Sequence, residues 1–244
     1  MFANEISGKA VVIGDTHADL EATQTLLDYL TKHGIIDGRR WVVFIGDYVD
    51  VGRDSCKLID LLLGFKDHHP TTTFIAGNHD LNLAKALGII DSPHHDYYWH
   101  RIPERNRAVL DSYDATNGAE LLNKMPVEHK TFLAHLPWLV EHPDFLFVHC
   151  GFDPCEPLDG QTAALRKQDP NLFKPKWLYD DRLAFRDHSH QTSKLVISGH
   201  VIVNDVCRIG NKVLIDTGAG YGGDLTALLL PELRYFQTPR RICT

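Results

Sequence analysis

The sequence predicts an α/β protein in which two β-sheets pack against each other and helices flank them. In the first half of the chain, short apolar runs alternate with segments whose leucines recur at helical spacing. Such alternation predicts a mainly parallel sheet covered by helices. In the second half, short apolar runs follow one another closely, which indicates a second, mixed sheet packed on the first. With 244 residues the chain is long enough to bury this core as one domain, residues 1–244.

Three strand–helix units are predicted at the start of the chain. The first helix runs from Leu20 to about His33, and Gly34 ends it. The other predicted helices span residues 55–65, 80–87 and 104–113. The predicted strands are Ala10–Ile13, Trp41–Ile45, Thr72–Ala76, Trp138–Glu141, Phe145–Val148, Leu195–Ser198, Asp205–Ile209, Val213–Asp216 and Thr226–Leu230.

The alternation breaks over residues 92–125, where the sequence becomes polar and aromatic. This segment is predicted to be an insertion over the mouth of the functional site, because binding residues often lie on such excursions. The alternative is a solvated helical excursion whose aromatic residues are buried for packing. His94 and His95 fit surface histidines better than extra metal ligands.

The charge and the cysteines exclude several classes of protein. A net charge of −7 argues against a nucleic-acid binder and does not favour a membrane surface, because both depend on clustered Lys and Arg. No apolar run approaches the about 18 residues of a membrane span, and the first residues carry no signal-peptide pattern. Five cysteines without a CxxC pair predict neither a disulfide framework nor a thiolate zinc site. The reducing cytoplasm is therefore the expected compartment.

The stretch Val42–Ser55 carries the strongest functional pattern in the chain. A β-branched apolar run stops at Gly46, which lets the backbone turn sharply, and two carboxylates, Asp47 and Asp50, follow at once. The carboxyl end of a strand is where ligands bind in open α/β sheets. Taken alone, an ordinary turn explains this stretch equally well.

The same pattern, a buried strand followed by a polar cluster, occurs at four more places. They are Gly14-Asp15-Thr16-His17, Gly77-Asn78-His79-Asp80, His149-Cys150-Gly151 and Gly199-His200. Five predicted strands therefore bring carboxylate, amide and imidazole groups to one edge of a sheet. Oxygen and imidazole ligands without thiolate suit Mn, Fe or Zn at a hydrolytic site.

Together with Gly46-Asp47-Tyr48-Val49-Asp50, these motifs resemble the calcineurin-like metallophosphoesterase superfamily in order and spacing. Within it they are most similar to the phosphoprotein phosphatase branch in its bacterial and phage-type form. The matching motifs run from Gly14 to Gly223, which is nearly the whole chain. The resemblance implies a sandwich of two mixed sheets flanked by helices. It also implies a hydrolase in which hydroxide held by two divalent metal ions attacks phosphorus directly, with Mn expected and Fe or Zn as alternatives.

The resemblance implies the metal ligands residue by residue. Asp47 matches the carboxylate that bridges two ions, which in such sites lie about 3.5–4 Å apart. The remaining implied ligands are Asp15, His17 and His200 for one ion and Asn78 and His149 for the other.

His79 does not match a metal ligand. It matches the residue that acts in the family as the general acid and protonates the leaving alcohol. Asp50 matches the carboxylate that hydrogen-bonds the His79 imidazole and holds it in position and protonated. The alternative for Asp50 is a capping carboxylate before the helix that begins at Ser55.

The sequence departs from the family at Val51, where the phosphatase branch has a phosphate-binding arginine. Phosphate favours a forked cation for geometry as well as charge, so another residue must replace it or the substrate differs. Arg53 is one candidate. Arg182 is the second, because the segment Trp177–Arg182 resembles a family segment that ends in a phosphate-binding arginine. Either is equally compatible with an ordinary surface arginine.

The stretch Ile215–Gly223 also resembles the bacterial phosphatases and dinucleoside tetraphosphatases. Its glycines let the backbone pass close to the site, and Tyr221 is a candidate substrate contact. Packing alone explains the stretch equally well.

These features predict a metal-dependent phosphomonoesterase, with protein phosphatase as the expected activity. Its partner is then a phosphorylated protein or a small phosphoester. The alternative enzyme is a dinucleoside polyphosphate hydrolase of the diadenosine tetraphosphatase type. Asp50 favours the phosphatase, since tetraphosphatases tend to carry a small residue at that place. The third possibility, a non-catalytic binding scaffold, is disfavoured by the intact ligand set. The sequence does not specify the phosphorylated residue, the resident metal or the oligomeric state.

Overall fold

The computed structural model describes residues 2–94 and 103–238 of the chain. Within these residues, ten strands form two sheets of five. The strands are β1 Ala10–Ile13, β2 Trp41–Phe44, β3 Thr72–Phe74, β4 Leu139–Glu141, β5 Phe145–Val148, β6 Leu195–Ser198, β7 Cys207–Ile209, β8 Lys212–Leu214, β9 Thr226–Leu230 and β10 Arg234–Gln237. The helices are α1 Leu20–Lys32, α2 Ser55–His68, α3 Asn78–Ala86, α4 Pro103–Ser112, α5 Gly118–Lys124, α6 Val127–Ala134, α7 Leu158–Lys167, α8 Lys176–Tyr179 and α9 Asp181–Ala184.

The first sheet has the strand order β10-β9-β1-β2-β3. Strands β1, β2 and β3 are parallel, with Val12 opposite Val43 and Val43 opposite Thr73. Strand β9 is antiparallel to β1. Because the three parallel strands point the same way, the turns that follow them lie at one edge of the sheet.

The second sheet has the strand order β4-β5-β6-β8-β7. Strands β5, β6 and β8 are parallel, and β4 and β7 are antiparallel edge strands. Both sheets are therefore mixed and helices accompany them, which confirms the predicted α/β architecture.

Alternate residues of each central strand face two different layers. Val12 and Val43 of the first sheet share a buried cluster with Phe147 and Ile197 of the second sheet, so this cluster lies between the sheets. Their neighbours in sequence face the helices instead. This second cluster contains Val11, Ile13, Val42 and Phe44 of the strands together with Leu26 and Leu30 of α1 and Leu58 of α2. Because both faces of each central strand are covered, its sequence is continuously apolar rather than alternating.

The position of β9 corrects the prediction, which placed Thr226–Leu230 in the second sheet. The strand crosses to the first sheet and pairs with β1, with Val12 opposite Leu228. All five residues of β9 are buried, so no polar face in the sequence indicates which sheet receives it. The edge strand β10, Arg234–Gln237, was not predicted, because its half-exposed residues form no apolar run.

Several helices were also not predicted, and two of them lie in or next to the predicted insertion. Within residues 92–125, the part described from residue 103 onward consists mainly of α4 and α5, and α4 packs against α2. Tyr113 and Leu121 are buried in the main core, which agrees with the packing alternative for this part. His95 lies outside the described residues, and His94 contacts Asn171 and Phe173. The single domain of residues 1–244 with an insertion at 92–125 stays a proposal.

None of the helices within residues 2–94 and 103–238 is both long enough and apolar enough to cross a lipid bilayer.

Candidate metal centre and active site

The polar turns after five strands meet in one place. Asp15, Asp47 and Asn78 follow the parallel strands β1, β2 and β3, and His149 and His200 follow β5 and β6 of the other sheet. The backbone turns here are unusual, since Asp47 and His200 both adopt positive φ angles, of 55° and 71°. Such angles are uncommon outside glycine and concentrate at functional sites.

Asp47 lies at the centre of the cluster. Its Oδ2 atom is 3.3 Å from Nε2 of His149, 3.7 Å from Nε2 of His17 and 4.0 Å from Nε2 of His79. Among the described residues, potential ligand atoms form two groups in which all atoms lie within 4.8 Å of one another, and Asp47 belongs to both. The groups are His17, Asp47 and His79, and Asp47, His149 and His200. A carboxylate shared by two groups is the arrangement that a bridge between two ions requires.

His200 groups with different residues from those expected. Its Nδ1 atom lies 2.9 Å from Oδ1 of Asn78, and the same oxygen lies 3.0 Å from Nε2 of His149. Its backbone N–H, rather than its imidazole, donates to Oδ2 of Asp15 at 2.9 Å. The geometry thus places the His200 imidazole with Asn78 and His149 rather than with Asp15 and His17. The structure therefore differs from the predicted division of the ligands, which grouped His200 with Asp15 and His17.

Two buried carboxylate oxygens in the cluster have no hydrogen-bond partner among the described residues. They are Oδ1 of Asp15 and Oδ2 of Asp216. A buried carboxylate without donors is costly, and a cation supplies what the protein does not. Together with the histidine and asparagine donors, these oxygens fit the oxygen and nitrogen ligand set of Mn, Fe or Zn.

Burial and close charges shift the pKa values of several residues in the cluster. Burial raises the pKa of Asp15 well above its usual range, and the neighbouring Asp216 raises it further. Burial also raises the pKa of Asp216, to about 6. Burial lowers the pKa of His149, but the Asp47 and Asp15 carboxylates outweigh it and raise that pKa to about 10. Burial and mutual repulsion thus disfavour the ionised forms of Asp15 and Asp216, and a bound divalent cation would favour them.

His79 and Asp50 form a buried pair. Nδ1 of His79 is 2.7 Å from Oδ2 of Asp50, so the Nδ1–H donates to the carboxylate and Nε2 is directed toward Asp47. The backbone N–H of His79 donates to Oδ1 of Asp47 at 2.9 Å, which fixes the position of the ring relative to the central carboxylate. The N-cap of α2 is Asp54, so Asp50 is not the residue at that cap.

Asp80 holds two of these turns together, a role that was not predicted. Its Oδ2 accepts from the N–H groups of Asp47 and Gly77, at 2.8 and 2.9 Å, and its Oδ1 accepts from the N–H of Tyr48 at 2.8 Å. In the sequence Asp80 is only an acidic residue in the first turn of a helix. Such residues are common because they interact favourably with the helix dipole, so the sequence alone assigns no special role to Asp80. Burial, followed by the charge of Asp47, raises the pKa of Asp80 to about 7.

Asp181 contacts a candidate ligand and was not predicted either. Its Oδ1 is 2.8 Å from Nε2 of His200. A proton on Nε2 that donates to Asp181 leaves the lone pair on Nδ1, the nitrogen that faces Asn78. Metal-binding histidines commonly have their second nitrogen held in this way by a carboxylate.

We expect Asp181→Ala to weaken binding of the ion next to His200 by about tenfold, because the imidazole loses the partner that fixes its tautomer. Titration of Mn²⁺ into the metal-free protein by calorimetry measures the effect. Asp181→Asn is the matched control, since its amide oxygen still accepts from Nε2, and we expect a smaller loss. Equal Mn²⁺ affinities for the alanine variant and the parent would contradict this role.

The predicted substrate contacts are less closely tied to the cluster. The guanidinium of Arg182 is 81% exposed and pairs with Asp180, with Nε 2.8 Å from Oδ1 and Nη2 2.7 Å from Oδ2. Arg53 is exposed. Tyr221 lies beside the cluster, because its ring packs edge-on against His17 with 5.3 Å between centroids. The roles of Arg53, Arg182 and Tyr221 therefore stay predictions.

Val51, the residue at the place of the family arginine, has a φ angle of 65°. A β-branched residue in this left-handed region is a conformational outlier, because its Cβ substituents crowd the backbone. The neighbouring Gly52 N–H donates to the carbonyl of His17 at 2.9 Å, which holds this turn on the ligand cluster. Strain at a turn of this kind is typical of functional sites.

Comparison with known proteins identifies the family of this chain. Residues 8–222 match the model of the calcineurin-like phosphoesterase family. The match covers most of the chain and includes all five polar turns. The protein belongs to the calcineurin-like phosphoesterase family.

The relatives of this chain differ from one another in their named activities. The chain is 28% identical to a symmetrical bis(5'-nucleosyl)-tetraphosphatase of Vibrio cholerae serotype O1, over 95% of this chain and 79% of the relative. A solved structure described as a putative diadenosine tetraphosphatase matches 98% of this chain and 99% of its own, with a TM-score of 0.63 and 19% identity. A protein serine/threonine phosphatase from Saccharomyces cerevisiae matches 99% of this chain and 85% of its own, with a TM-score of 0.63 and 16% identity. At these identities the two structures support the fold.

Proposed function

We propose that this protein is a metal-dependent phosphomonoesterase that acts as a protein phosphatase. The observation that carries the proposal is the His79–Asp50 pair, 2.7 Å apart and buried beside Asp47. An ester of serine, threonine or tyrosine has a basic leaving oxygen that needs a proton as the bond to phosphorus breaks. A dinucleoside polyphosphate releases a nucleotide, which is a better leaving group and depends less on a proton donor.

In this proposal one set of residues binds the cations, and His79 with Asp50 transfers a proton. In the proposed assignment Asp15, His17 and Asp47 hold one divalent ion, and Asp47, Asn78, His149 and His200 hold the other. When bound, two such ions supply Lewis-acid stabilisation of the phosphoryl oxygens and lower the pKa of a water from about 15.7 toward about 7. Asp47 orients the general acid as well, through its contact with the His79 backbone.

His79 carries the proton that the leaving group receives. With Nδ1–H donated to Asp50, protonated His79 has its second N–H on Nε2, which is directed toward the cluster. Transfer of this proton to the leaving oxygen gives the alcohol and a neutral imidazole, while water adds to phosphorus to give phosphate. The negative charge of Asp50 stabilises the imidazolium before the transfer, and the proton released by the attacking water, exchanged through solvent, restores the imidazolium afterwards.

The second candidate is hydrolysis of dinucleoside polyphosphates. The named activity of the Vibrio cholerae relative favours it. Both reactions use the same cluster of ligands, so substrate choice depends on the surroundings of the cluster. A non-catalytic scaffold does not account for a complete ligand set beside a paired general acid.

A substrate panel tests the proposal. With added Mn²⁺, we expect higher kcat/KM on phosphoserine, phosphothreonine or phosphotyrosine peptides than on diadenosine tetraphosphate, measured side by side by phosphate and nucleotide release. A preference for diadenosine tetraphosphate would replace the proposal with the second candidate. Absence of turnover on every substrate with Mn²⁺, Fe²⁺ and Zn²⁺ would favour the scaffold.

Mn is the proposed ion and the cytoplasm the proposed compartment. The four cysteines of the described residues, Cys56, Cys150, Cys155 and Cys207, are free thiols, which is consistent with a reducing environment. The proposed partners are a phosphorylated protein or a small phosphoester, without nucleic acid or membrane.

A further inference from the structure

A small cavity opens beside the ligand cluster, between two turns of the chain. Its volume is about 210 Å³, and Ile202, Asn204 and Tyr221 line it together with the glycines of the turn 217–223. One turn begins two residues after His200, and the other begins directly after Asp216. Each wall of the cavity therefore follows closely, along the chain, a residue of the candidate metal site.

The walls of this cavity combine the side chains of Ile202 and Tyr221 with polar groups of Asn204 and Thr217, and they are accessible, in contrast to the buried cluster next to it. The side chain of Tyr221 is 50% exposed and that of Ile202 is 49% exposed. Gly218 and Gly222 have φ angles of 89° and 83°, so glycine is suited to both places and leaves bare backbone at the wall. A flat ring can approach such a wall more closely than it can approach side chains.

The position of Tyr221 relative to the cluster is fixed by the chain itself. A Cβ atom at Gly220 would lie 2.6 Å from Cβ of His17 and 2.7 Å from its carbonyl oxygen, so only glycine lets this turn close on His17. That approach places the Tyr221 ring edge-on against the His17 ring. On its other side His17 directs Nε2 at Asp47, so a single imidazole separates Tyr221 from the central carboxylate.

The turn that carries Val51 packs on the same residue. The Gly52 N–H donates to the His17 carbonyl, and a Cβ at Gly52 would lie 2.5 Å from that oxygen. The two turns thus border the same ligand, and neither Val51 nor Tyr221 offers a cation at that place. A substrate held there depends on contacts to its leaving group in addition to contacts to its phosphate.

We infer that the cavity between Ile202 and Tyr221 is a subsite for an aromatic ring carried by the leaving group of the phosphate ester. This inference rests on the proposed function and specifies its substrate class. The ring is either the phenol ring of phosphotyrosine or a nucleobase. Both present a flat π-face and an apolar edge, which pack edge-to-face or offset-stacked on tyrosine.

The test compares an aromatic with an aliphatic ligand. For the Mn²⁺-loaded protein, calorimetry gives the affinities of phenylphosphonate and methylphosphonate, which share the phosphoryl group and differ in the ring. We expect Tyr221→Ala to reduce the preference for phenylphosphonate about three- to tenfold, and Ile202→Ala to reduce it less. Tyr221→Phe should keep the preference, because it keeps the ring. Tyr29→Ala, which removes another exposed tyrosine that does not line the cavity, is the matched control and should not change it.

Kinetics on two esters distinguish the sources of the ring. A selective loss of kcat/KM on phosphotyrosine peptide relative to phosphoserine peptide identifies the phenol ring, and a selective loss on AMP relative to ribose 5-phosphate identifies the nucleobase. An unchanged phenylphosphonate preference in Tyr221→Ala would overturn the subsite, even if the parent hydrolyses phosphate esters well. Failure of the parent to hydrolyse any ester would instead refute the proposed function, while the phosphonate affinities would still test the subsite.

Discussion

Asp47→Asn should lower the metal content of the protein to one ion per chain or fewer, and kcat/KM by about 10³-fold or more. Asp47 belongs to both groups of candidate ligand atoms, and a neutral amide is a poor bridge between two cations. Bound divalent ions supply several kcal/mol of transition-state stabilisation, which is the origin of the large expected loss. Elemental analysis and turnover of an aryl phosphate measure the two quantities.

The choice of asparagine makes this experiment specific. Oδ1 of Asp47 accepts the His79 N–H, and the amide oxygen of asparagine still accepts it, so the turn keeps its hydrogen bond. Circular dichroism and thermal unfolding of the metal-free variant then separate loss of the bridge from loss of the fold. Two ions per chain in a fully active variant would remove Asp47 from the bridging role.

His79→Asn should leave the metal content unchanged and slow the hydrolysis of alkyl phosphates by about 10²–10⁴-fold, the usual contribution of proton donation. Aryl phosphates with acidic phenols should be slowed less, because their leaving oxygens need less help. The measurement is kcat over a series of leaving groups, and the dependence of rate on leaving-group basicity should become steeper in the variant.

Asp50→Asn serves as the companion variant for His79. Its amide oxygen still accepts from Nδ1, but it no longer stabilises the imidazolium by charge, so we expect a loss smaller than that of His79→Asn. Equal losses on alkyl and aryl substrates in His79→Asn would show that the residue is structural, and the general-acid assignment would then fail.

The residues after the five strands were predictable because their signals are local. A buried run that ends at glycine, with a carboxylate or imidazole directly after it, depends only on backbone freedom and the direction of a strand. Asp15, Asp47, Asn78, His149 and His200 accordingly lie together in the structure. The resemblance to a family added the expected roles, including the pairing of Asp50 with His79, whose atoms lie 2.7 Å apart.

The residues that were missed act across large separations in the chain. Asp181 reaches His200 from a one-turn helix, and Asp80 fixes the Asp47 turn from the neighbouring strand–helix unit. Asp216 lies in a glycine-rich stretch that predicts a turn, and its sequence does not indicate that it faces Asp15. An acidic residue near a helix start or in a turn is normally solvated. The burial of Asp80 and Asp216 and the contact of the exposed Asp181 with His200 appear only in three dimensions.

By itself the sequence determined the α/β class, nine of the ten described strands and the polar turns, since each follows from hydrophobic periodicity and from glycine at strand ends. Only the tertiary structure decided that β9 joins β1, because a strand buried on both faces carries no pattern that selects a partner. It also decided that the His200 imidazole lies with Asn78 and His149. That choice depends on the rotation of one side chain within a contact between two sheets, and no spacing along the chain encodes such a rotation.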